Sequence, residues 1–589
     1  MWLVVIKSYS ATKIKRPIVG VLFIFLTATQ NNKFVNIFVD FPCCHAIFSY
    51  EKNNNKTYKM KIANVHIHNF RSIQDASISF QNYSVIVGEN NIGKSNIIDA
   101  IRCFYGDVRF ETDDFCKRCN RNDSDAWIDV TYDLTRTEYA TLAKKYQVEP
   151  NKLRVRKDLS GGGTFHGYTK DGLETTSFCG TRSLKPSNLG NIIYIPTIVD
   201  VKENLKLSGT SALNGLVSLV CSQPQFQQQF KTKFETAFES LGRTTISNFK
   251  RLGREIRRDV NVSGVRVNIG PRKISSEEML RFLLNISVED GVGRLDLSQI
   301  GTGVQRKIIA SLIKLNAQYA VREQKQLKRA TKKNISDAIV ATPSQSENSR
   351  FSPRMNVLLF EEPEVALHPS AISDLVQDLH DFADTSYNQL IATTHSSQLV
   401  SADVTDLNGL IRVDKRDGRT HVYQNTIPDA QLQMAKNMVY FDRPRSDMFF
   451  AKKVVLVEGP TEYMLYNYLK NRGDLPRDIT SRVTLIESVG KWSMPYFLKV
   501  LKTYNIRHSV LFDMDSNPNR QDNQDVINEF SNLTEYHYGF QKDIETFCGI
   551  KKSGNPAINI INKFEDGTVA PATQAAVVQI FKDLITRTK

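Results

Sequence analysis

Pairs of carboxylates follow apolar runs at several points in this 589-residue sequence, and they are the side chains best placed to do chemistry. "VLLFEEP" ends in Glu361 and Glu362, "VVLVEG" in Glu458, and "VLFDMD" in Asp513 and Asp515. Acids at the ends of parallel strands share one edge of a sheet, where they can hold metal ions or a water molecule. The plainer alternative is a polar strand end that only meets water.

A glycine-rich loop supplies a partner for the first pair of glutamates. "VIVGENNIGKSNIIDAI" matches GxxxxGK[ST] between an apolar strand and an amphipathic helix, the context that a phosphate-binding loop requires. Lys94 is predicted to reach the β- and γ-phosphates of ATP, and Ser95 to hold Mg²⁺. The candidate nucleotide-binding residues of the loop are Gly88, Asn90, Asn91, Gly93, Lys94, Ser95 and Asn96.

Glu361 and Glu362 follow an apolar run of the kind that is buried inside a parallel sheet. In P-loop ATPases, the acid at this point orders Mg²⁺ and its neighbour polarises the attacking water. We assign the first role to Glu361 and the second, a catalytic role, to Glu362. Two more segments fit an ATPase: "GTGVQRKIIASLI" places Gly303 and Gln305 before an apolar helix, and "IATTHSS" ends a strand with His395.

These segments together resemble the ABC-type ATPases of the RecF and SMC group. "IHNFRSI" is similar to their N-terminal strand, "GTGVQR" to their degenerate signature, and His395 to their switch histidine. In that family the signature of one subunit caps the nucleotide that another subunit holds. The resemblance therefore implies a homodimer or higher homo-oligomer with ATP at its interface.

The C-terminal part carries a second group of acids. Glu458 precedes a Gly-Pro turn, Glu462 lies in the first turn of the next predicted helix, and "DIETF" adds a third acidic pair after the DxD of "FDMDS". Carboxylates crowded in this way suit Mg²⁺ or Mn²⁺, and two such ions can clamp the attacking and leaving oxygens of a phosphodiester. The predicted metal ligands of the chain are Ser95, Glu361, Glu458, Glu462, Asp513, Asp515, Asp543 and Glu545.

This half resembles a Toprim domain, whose pattern is a strand-end glutamate followed by DxD. A Toprim domain behind an ABC ATPase is the architecture of the overcoming-lysogenization-defect (OLD) family of nucleases, which includes the Gabija nuclease subunit and retron-linked members. The resemblance covers residues 60–589 and implies catalytic roles for Glu458 and Asp513. It also implies a basic residue after the last acidic pair. The candidates are Lys551, Lys552 and Lys563, of which we select Lys563.

The predicted fold class is α/β: an ABC-type P-loop ATPase domain with an inserted helical dimerisation arm, followed by a C-terminal Toprim domain. The predicted segments are a leader at 1–59, the ATPase at 60–205 and 263–430, the arm at 206–262, and the Toprim domain at 445–589. The leader combines basic residues with a short apolar run, which is the form of a signal peptide and too short to span a membrane comfortably. We expect Met60 to be the natural start, because export would remove the protein from cytosolic ATP.

Composition restricts the partners. The net charge of +15 and the pI of about 9.2 favour a polyanion, with nucleic acid first and an anionic membrane surface second. Eight cysteines in so long a chain do not indicate a disulfide framework, so we expect a reducing cytoplasm. The single CxxC of "CKRC" lacks the second pair that a structural zinc site usually needs.

The sequence therefore predicts an ATP-regulated, metal-dependent DNA endonuclease acting in antiphage defence. A non-catalytic ATP-driven DNA clamp is the main alternative, and a topoisomerase-like or primase-like enzyme is a third reading. Because other OLD proteins work with a helicase, with a retron reverse transcriptase and its DNA–RNA product, or alone, the partner protein stays open.

Overall fold

The structure, a computed structural model, describes residues 60–176, 189–197, 287–311, 355–427 and 443–587, each range with gaps, and a few strand residues before residue 39. The chain divides into two units, Met1–Thr57 and Tyr58–Lys589. The first unit contains four short strands, paired β1 with β4 and β2 with β3. They are β1 (Phe23–Phe25), β2 (Ala28–Thr29), β3 (Asn32–Lys33) and β4 (Asn36–Phe38). The predicted arm at 206–262, Asp515 and Lys552 lie outside the described residues.

The second unit begins with an antiparallel sheet in the order β11-β10-β9-β8-β5-β6. Alternate residues of β6 are buried, as expected for a strand with one face on the core. The strands are β5 (Lys61–Phe70), β6 (Ile73–Ser79), β8 (Trp127–Asp133), β9 (Lys152–Asp158), β10 (Thr164–Thr169) and β11 (Gly172–Leu173).

A mainly parallel sheet in the order β12-β15-β16-β7-β17-β18 forms the centre of the ATPase, with only β18 antiparallel. Every residue of β7 and β16 is buried, because both faces of the sheet are covered. The strands are β7 (Tyr83–Val87), β12 (Asn191–Ile195), β15 (Asn356–Glu361), β16 (Asn388–Thr394), β17 (Leu410–Arg416) and β18 (Arg419–Gln424). A separate hairpin joins β13 (Ser287–Glu289) and β14 (Arg294–Asp296).

Alternate residues of this sheet point into two different cores. Val357 and Leu359 pack with helix α1 (Lys94–Tyr105) and the antiparallel sheet. Leu358 and Phe360 pack on the opposite face, with helix α3 (Pro369–Ala383) and with apolar residues of the C-terminal domain. A short helix, α2 (Arg136–Thr141), follows β8.

The C-terminal domain is built on a four-stranded parallel sheet in the order β20-β19-β21-β22. Its strands are β19 (Lys453–Val457), β20 (Val483–Glu487), β21 (Arg507–Asp513) and β22 (Tyr536–Phe540). Its helices are α4 (Arg443–Ser446), α5 (Pro460–Arg472), α6 (Arg477–Thr480), α7 (Met494–Thr503), α8 (Gln521–Leu533), α9 (Ile544–Phe547), α10 (Pro556–Glu565) and α11 (Pro571–Thr586). None of the helices that the structure describes is long and apolar enough to span a bilayer.

Arg412 of β17 crosses from the ATPase sheet into the C-terminal domain. Its buried guanidinium donates from Nη1 to the carbonyl of Tyr504 at 3.1 Å and from Nη2 to the carbonyl of Ala451 at 3.4 Å. Those carbonyls lie just before β21 and β19. An ion pair of 3.2 Å between Lys452 and Glu89 adds a second link, which reaches the glycine loop.

We predict that Arg412→Met lowers the melting temperature of the full chain. Methionine fills part of the space, but the two buried carbonyls lose their donor, which costs about 1–3 kcal/mol for each unsatisfied group. Differential scanning fluorimetry measures the change. The matched control is Arg587→Met, because Arg587 is exposed and pairs with Asp583 of helix α11 at 2.8 Å. Equal melting temperatures for Arg412→Met and the native chain would refute the structural role of Arg412.

Candidate functional sites at two sheet edges

The glycine loop joins β7 to α1 in a shape that needs its glycines. Gly88 and Gly93 have φ values of 146° and 110°, in the region that favours glycine. A Cβ atom at Gly88 would meet the carbonyl oxygen of Val413, and one at Gly93 would meet Oγ1 of Thr420. The loop therefore lies against the β17–β18 hairpin without space for larger residues.

Lys94 lies inside this loop. Its buried Nζ donates to the carbonyls of Gly88 at 3.0 Å and Glu89 at 2.7 Å, and it lies 2.9 Å from Nε2 of His395. Burial lowers the pKa of Lys94 to about 8, and nearby glutamates oppose that shift. The ammonium is thus held at the centre of the loop, where the motif binds phosphate oxygens.

The two glutamates after β15 point to different partners. Glu361 is buried and accepts a hydrogen bond from the hydroxyl of Tyr194 at 3.2 Å. Glu362 has a φ of 44°, a strained conformation for a residue with a side chain. Its amide donates to the carbonyl of Thr393 at 2.9 Å, and its Oε1 lies 3.2 Å from Nε2 of His395.

His395 therefore stands between the loop lysine and the predicted catalytic glutamate. Burial, and then the charge of Lys94, lower the pKa of His395, and the charge of Glu362 opposes this shift. Glu364, which the sequence patterns did not point to, fixes this end of β16: its Oε1 accepts from Thr394 Oγ1 and from the amide of His395, each at 2.7 Å. Its only sequence signal was its place in the "EEPE" turn.

Lys94, Glu361, Glu362 and His395 converge in the structure. Asn96 instead donates from Nδ2 to Ser72 Oγ at 2.6 Å, beside the turn between β5 and β6. The predicted signature residue Gln305 is buried and donates to the carbonyl of Ile300 at 2.7 Å. Its assignment to a nucleotide bound by a second subunit stays a prediction.

The second candidate site lies at the carboxyl end of the C-terminal sheet. Glu458 directly follows β19, and Asp513 ends the neighbouring β21. The amide of Asp513 donates to Oε2 of Glu458 at 2.9 Å, so the two strand ends are tied together through a carboxylate.

Three more acids surround this pair. Glu462 is buried in the first turn of α5 and accepts from the amide of Gly459 at 3.1 Å. Glu545 is buried in α9, with Oε1 at 3.4 Å from the hydroxyl of Thr461. Asp543 caps α9 by accepting from the amide of Thr546 at 2.7 Å. We call Glu458, Glu462, Asp513, Asp543 and Glu545 the acid cluster.

The acid cluster is under electrostatic strain. Burial, and then the neighbouring charges of Glu462, Glu458, Glu545 and Asp543, together raise the pKa of Asp513 to about 9. Burial likewise raises the pKa of Glu462 to about 7, with smaller effects from Glu458 and Glu545. These carboxyls therefore hold protons more tightly than exposed acids do.

A divalent cation fits this donor set. Asp513 Oδ1 and Glu545 Oε2 are buried oxygens without a hydrogen-bond partner, which is costly unless a cation or water satisfies them. All the donors are carboxylate oxygens, the ligands that Mg²⁺ and Mn²⁺ prefer. Within the described part of the chain, no three acid, histidine or cysteine side chains already converge on one metal position, and Asp515 lies outside that part.

Lys491 contacts a residue of the acid cluster, although nothing in the sequence pattern pointed to it. It is buried, and its Nζ donates to the carbonyl of Asp513 at 3.3 Å. The selected Lys563 lies in the last turn of α10, partly exposed, and pairs with Asp566 at 3.2 Å. The structure gives no contact between Lys563 and the acid cluster, so its catalytic role stays a prediction.

Two family models match this sequence. The first, described as an AAA ATPase domain, matches residues 60–157 and 222–400. The second, described as the TOPRIM domain of overcoming lysogenization defect protein-like proteins, matches residues 449–515. The fold and the two sites thus define a P-loop ATPase joined to a Toprim nuclease domain. The resemblance to the OLD family is confirmed: the chain carries an AAA ATPase domain and an OLD-like TOPRIM domain.

Three relatives share parts of this sequence. An Old nuclease of Escherichia phage P2 is 26% identical over 496 residues, which cover 77% of each chain. An Endonuclease GajA of Bacillus cereus (strain VD045) is 24% identical over 485 residues, covering 77% of this chain and 75% of the relative. An OLD nuclease of Thermus scotoductus is 26% identical over 166 residues, covering 28% of this chain and 31% of the relative.

We predict that Lys94→Ala weakens nucleotide binding, because the phosphates lose their fixed positive charge. Glu362→Gln should still bind ATP but hydrolyse it roughly a hundredfold more slowly, since the amide cannot accept a proton from water. A fluorescent-nucleotide titration and a phosphate-release assay separate the two effects. Lys117→Ala is the control, because Lys117 is an exposed lysine outside the loop. Normal turnover by Glu362→Gln would assign the role to another carboxylate.

The raised pKa of Asp513 predicts a pH dependence of stability. Between its unfolded pKa of 3.8 and its folded pKa of about 9, the folded chain holds a proton that the unfolded chain releases. In EDTA the stability should therefore fall as the pH rises through this window, and Asp513→Asn should reduce the slope. Melting temperatures measured across this range test the prediction. Parallel curves for Asp513→Asn and the native chain would contradict it.

Proposed function

We propose that this protein is an ATP-regulated, Mg²⁺- or Mn²⁺-dependent DNA endonuclease that acts in antiphage defence. One observation carries the proposal: the acid cluster gathers five carboxyls at one edge of a parallel sheet and leaves two of their oxygens buried without partners. The names of the relatives, which are nucleases and endonucleases, agree with it. The net charge of +15 favours binding to DNA phosphates.

The residues of the acid cluster have separable tasks in this proposal. Bound divalent cations would supply Lewis acidity and stabilise the charge that develops on the phosphodiester oxygens. Glu458 and Asp513 hold the central position, because the hydrogen bond between them fixes both strand ends. Lys491 donates a hydrogen bond to the backbone carbonyl of Asp513. It therefore positions the end of β21 and leaves the Asp513 carboxylate available to a metal ion.

The ATPase half supplies regulation. Lys94 binds the phosphates, Glu361 holds Mg²⁺, and Glu362 orients and deprotonates the attacking water. His395 contacts both Lys94 and Glu362. A movement of Lys94 on nucleotide binding would therefore change the position of His395 and, through it, the position of the catalytic glutamate. We further propose a homodimer with ATP at the interface, with the segment 206–262 as the dimerisation arm.

A path for regulation runs through the junction of the domains. Glu89 of the glycine loop pairs with Lys452, which directly precedes β19, and Arg412 binds the carbonyls before β19 and β21. These two strands carry Glu458 and Asp513 at their opposite ends. A nucleotide-dependent shift of the loop would therefore act on the strands that position the acid cluster.

We predict that Asp513→Ala abolishes cleavage of supercoiled plasmid but preserves ATP hydrolysis and DNA binding. Losing a metal ligand removes several kcal/mol of transition-state stabilisation, and each 1.36 kcal/mol is about tenfold in rate. DNA affinity rests mainly on lysine and arginine contacts to phosphate, so it should change little. Agarose gels with Mg²⁺ or Mn²⁺, with and without ATP, give the readout.

A melting curve must first show that the Asp513→Ala chain is folded. Cleavage at the native rate by this folded variant would place the active site elsewhere. If neither chain cuts under any condition while both bind DNA in an ATP-dependent way, the protein is a clamp rather than a nuclease.

A further inference from the structure

The exposed aromatic side chains of the described residues are close in sequence to residues of the acid cluster or to Lys491. Among the residues that the structure describes, the exposed aromatic side chains are Tyr463, Trp492 and Phe547. All three belong to the Toprim domain, and each lies within two residues of Glu462, Lys491 or Glu545. Trp492 is the most exposed of them, at 52%.

The loop that carries Trp492 is fixed to the strand ends of the site. The amide of Ser488 donates to the carbonyl of Val457, and the amide of Gly490 to the carbonyl of Glu458, each at 2.9 Å. The centroid of the Trp492 ring lies 5.9 Å from Nζ of Lys491, which itself donates to the carbonyl of Asp513. The indole therefore lies near the acid cluster, on a loop that is hydrogen-bonded to the strand ends.

A nucleic acid strand with free bases is the occupant that suits this ring. A phosphodiester at the acid cluster brings its own nucleotide next to the indole, and bases stack on exposed aromatic rings with little regard to sequence. In an intact duplex, neighbouring bases cover both faces of each base, so no face is free to meet the indole. The surrounding carboxylates repel phosphates, whereas stacking on the ring needs no metal ion.

We propose that Trp492 is a stacking platform for an unpaired base beside the phosphodiester that is cut. This proposal rests on the proposed nuclease function and specifies its substrate: a strand that is single-stranded, frayed or locally unstacked at the site of cleavage. Tyr463, next to Glu462 at the start of α5, provides a second ring on the same sheet edge.

Tryptophan fluorescence of the full chain in EDTA tests this directly, because binding is then measured without cleavage. The probes are a short oligothymidylate and a blunt hairpin duplex of equal charge. We expect the oligothymidylate to quench the native chain, and we expect Trp492→Ala to lose this component, since only Trp2 and Trp127 remain. Trp492→Ala should bind oligothymidylate about fivefold to a hundredfold more weakly, the range for one lost stacking contact.

Binding of the hairpin, followed by fluorescence anisotropy, should be nearly unchanged in Trp492→Ala. Trp492→Phe should retain most of the affinity for oligothymidylate, because phenylalanine keeps an aromatic face. Leu173→Ala is the matched control, an exposed apolar residue outside the Toprim domain. Equal affinities of Trp492→Ala and the native chain for oligothymidylate would overturn the proposal, as would equal weakening for strand and hairpin.

Light scattering of the same samples tests the alternative that this surface is a protein–protein interface. If Trp492→Ala changes the oligomeric state and leaves the affinity for oligothymidylate intact, the ring serves a protein interface and the stacking proposal fails. The plasmid assay separates this result from a failure of the nuclease function. If the native chain never cuts plasmid but Trp492→Ala still loses binding to oligothymidylate, the stacking role of Trp492 is supported and the nuclease function is refuted.

Discussion

Mutual repulsion among buried carboxylates is the constraint that the rest of the Toprim domain accommodates. Two adjacent parallel strands end in Glu458 and Asp513, and two helices then bring Glu462 and Glu545 into the same space. Water would screen these charges, but burial removes it, and the pKa of Asp513 is raised as a consequence. Carboxylates that repel each other stay close together only when the hydrogen bonds and packing of the surrounding sheet hold the strand ends in place.

The support for that arrangement comes partly from the other domain. Phe360 and Leu390 of the ATPase sheet belong to the same apolar core as Phe497 and Phe512 of the Toprim domain. Arg412 adds hydrogen bonds at the same boundary. The glycine loop and the acid cluster therefore belong to one packed unit of the chain.

The sequence predicted those parts of the sites that depend on local pattern. The glycine loop follows β7, Glu458 follows β19, and Glu361 and Asp513 end β15 and β21, as the apolar runs in the sequence indicated. Both domain types are confirmed by the family models.

Contacts between distant segments were not readable in the same way. Lys491 reaches Asp513 only because the loop after β20 folds back over the end of β19. Glu364, which follows β15, accepts a hydrogen bond from the amide of His395, which follows the neighbouring strand β16. Sequence spacing gave no sign of either pairing. The catalytic role of Lys563 stays a prediction, because position after the last acidic pair does not determine where a side chain points in space.

The shared core between the two domains has a consequence for how such proteins diversify. A domain with a polar boundary can be cut out and joined to a new neighbour, but this Toprim domain would expose Phe497 and other core residues if its ATPase were removed. Recombination between relatives should therefore exchange the two halves together or not at all. New specificities are more accessible through surface loops such as the one carrying Trp492, which can vary while the buried boundary stays intact.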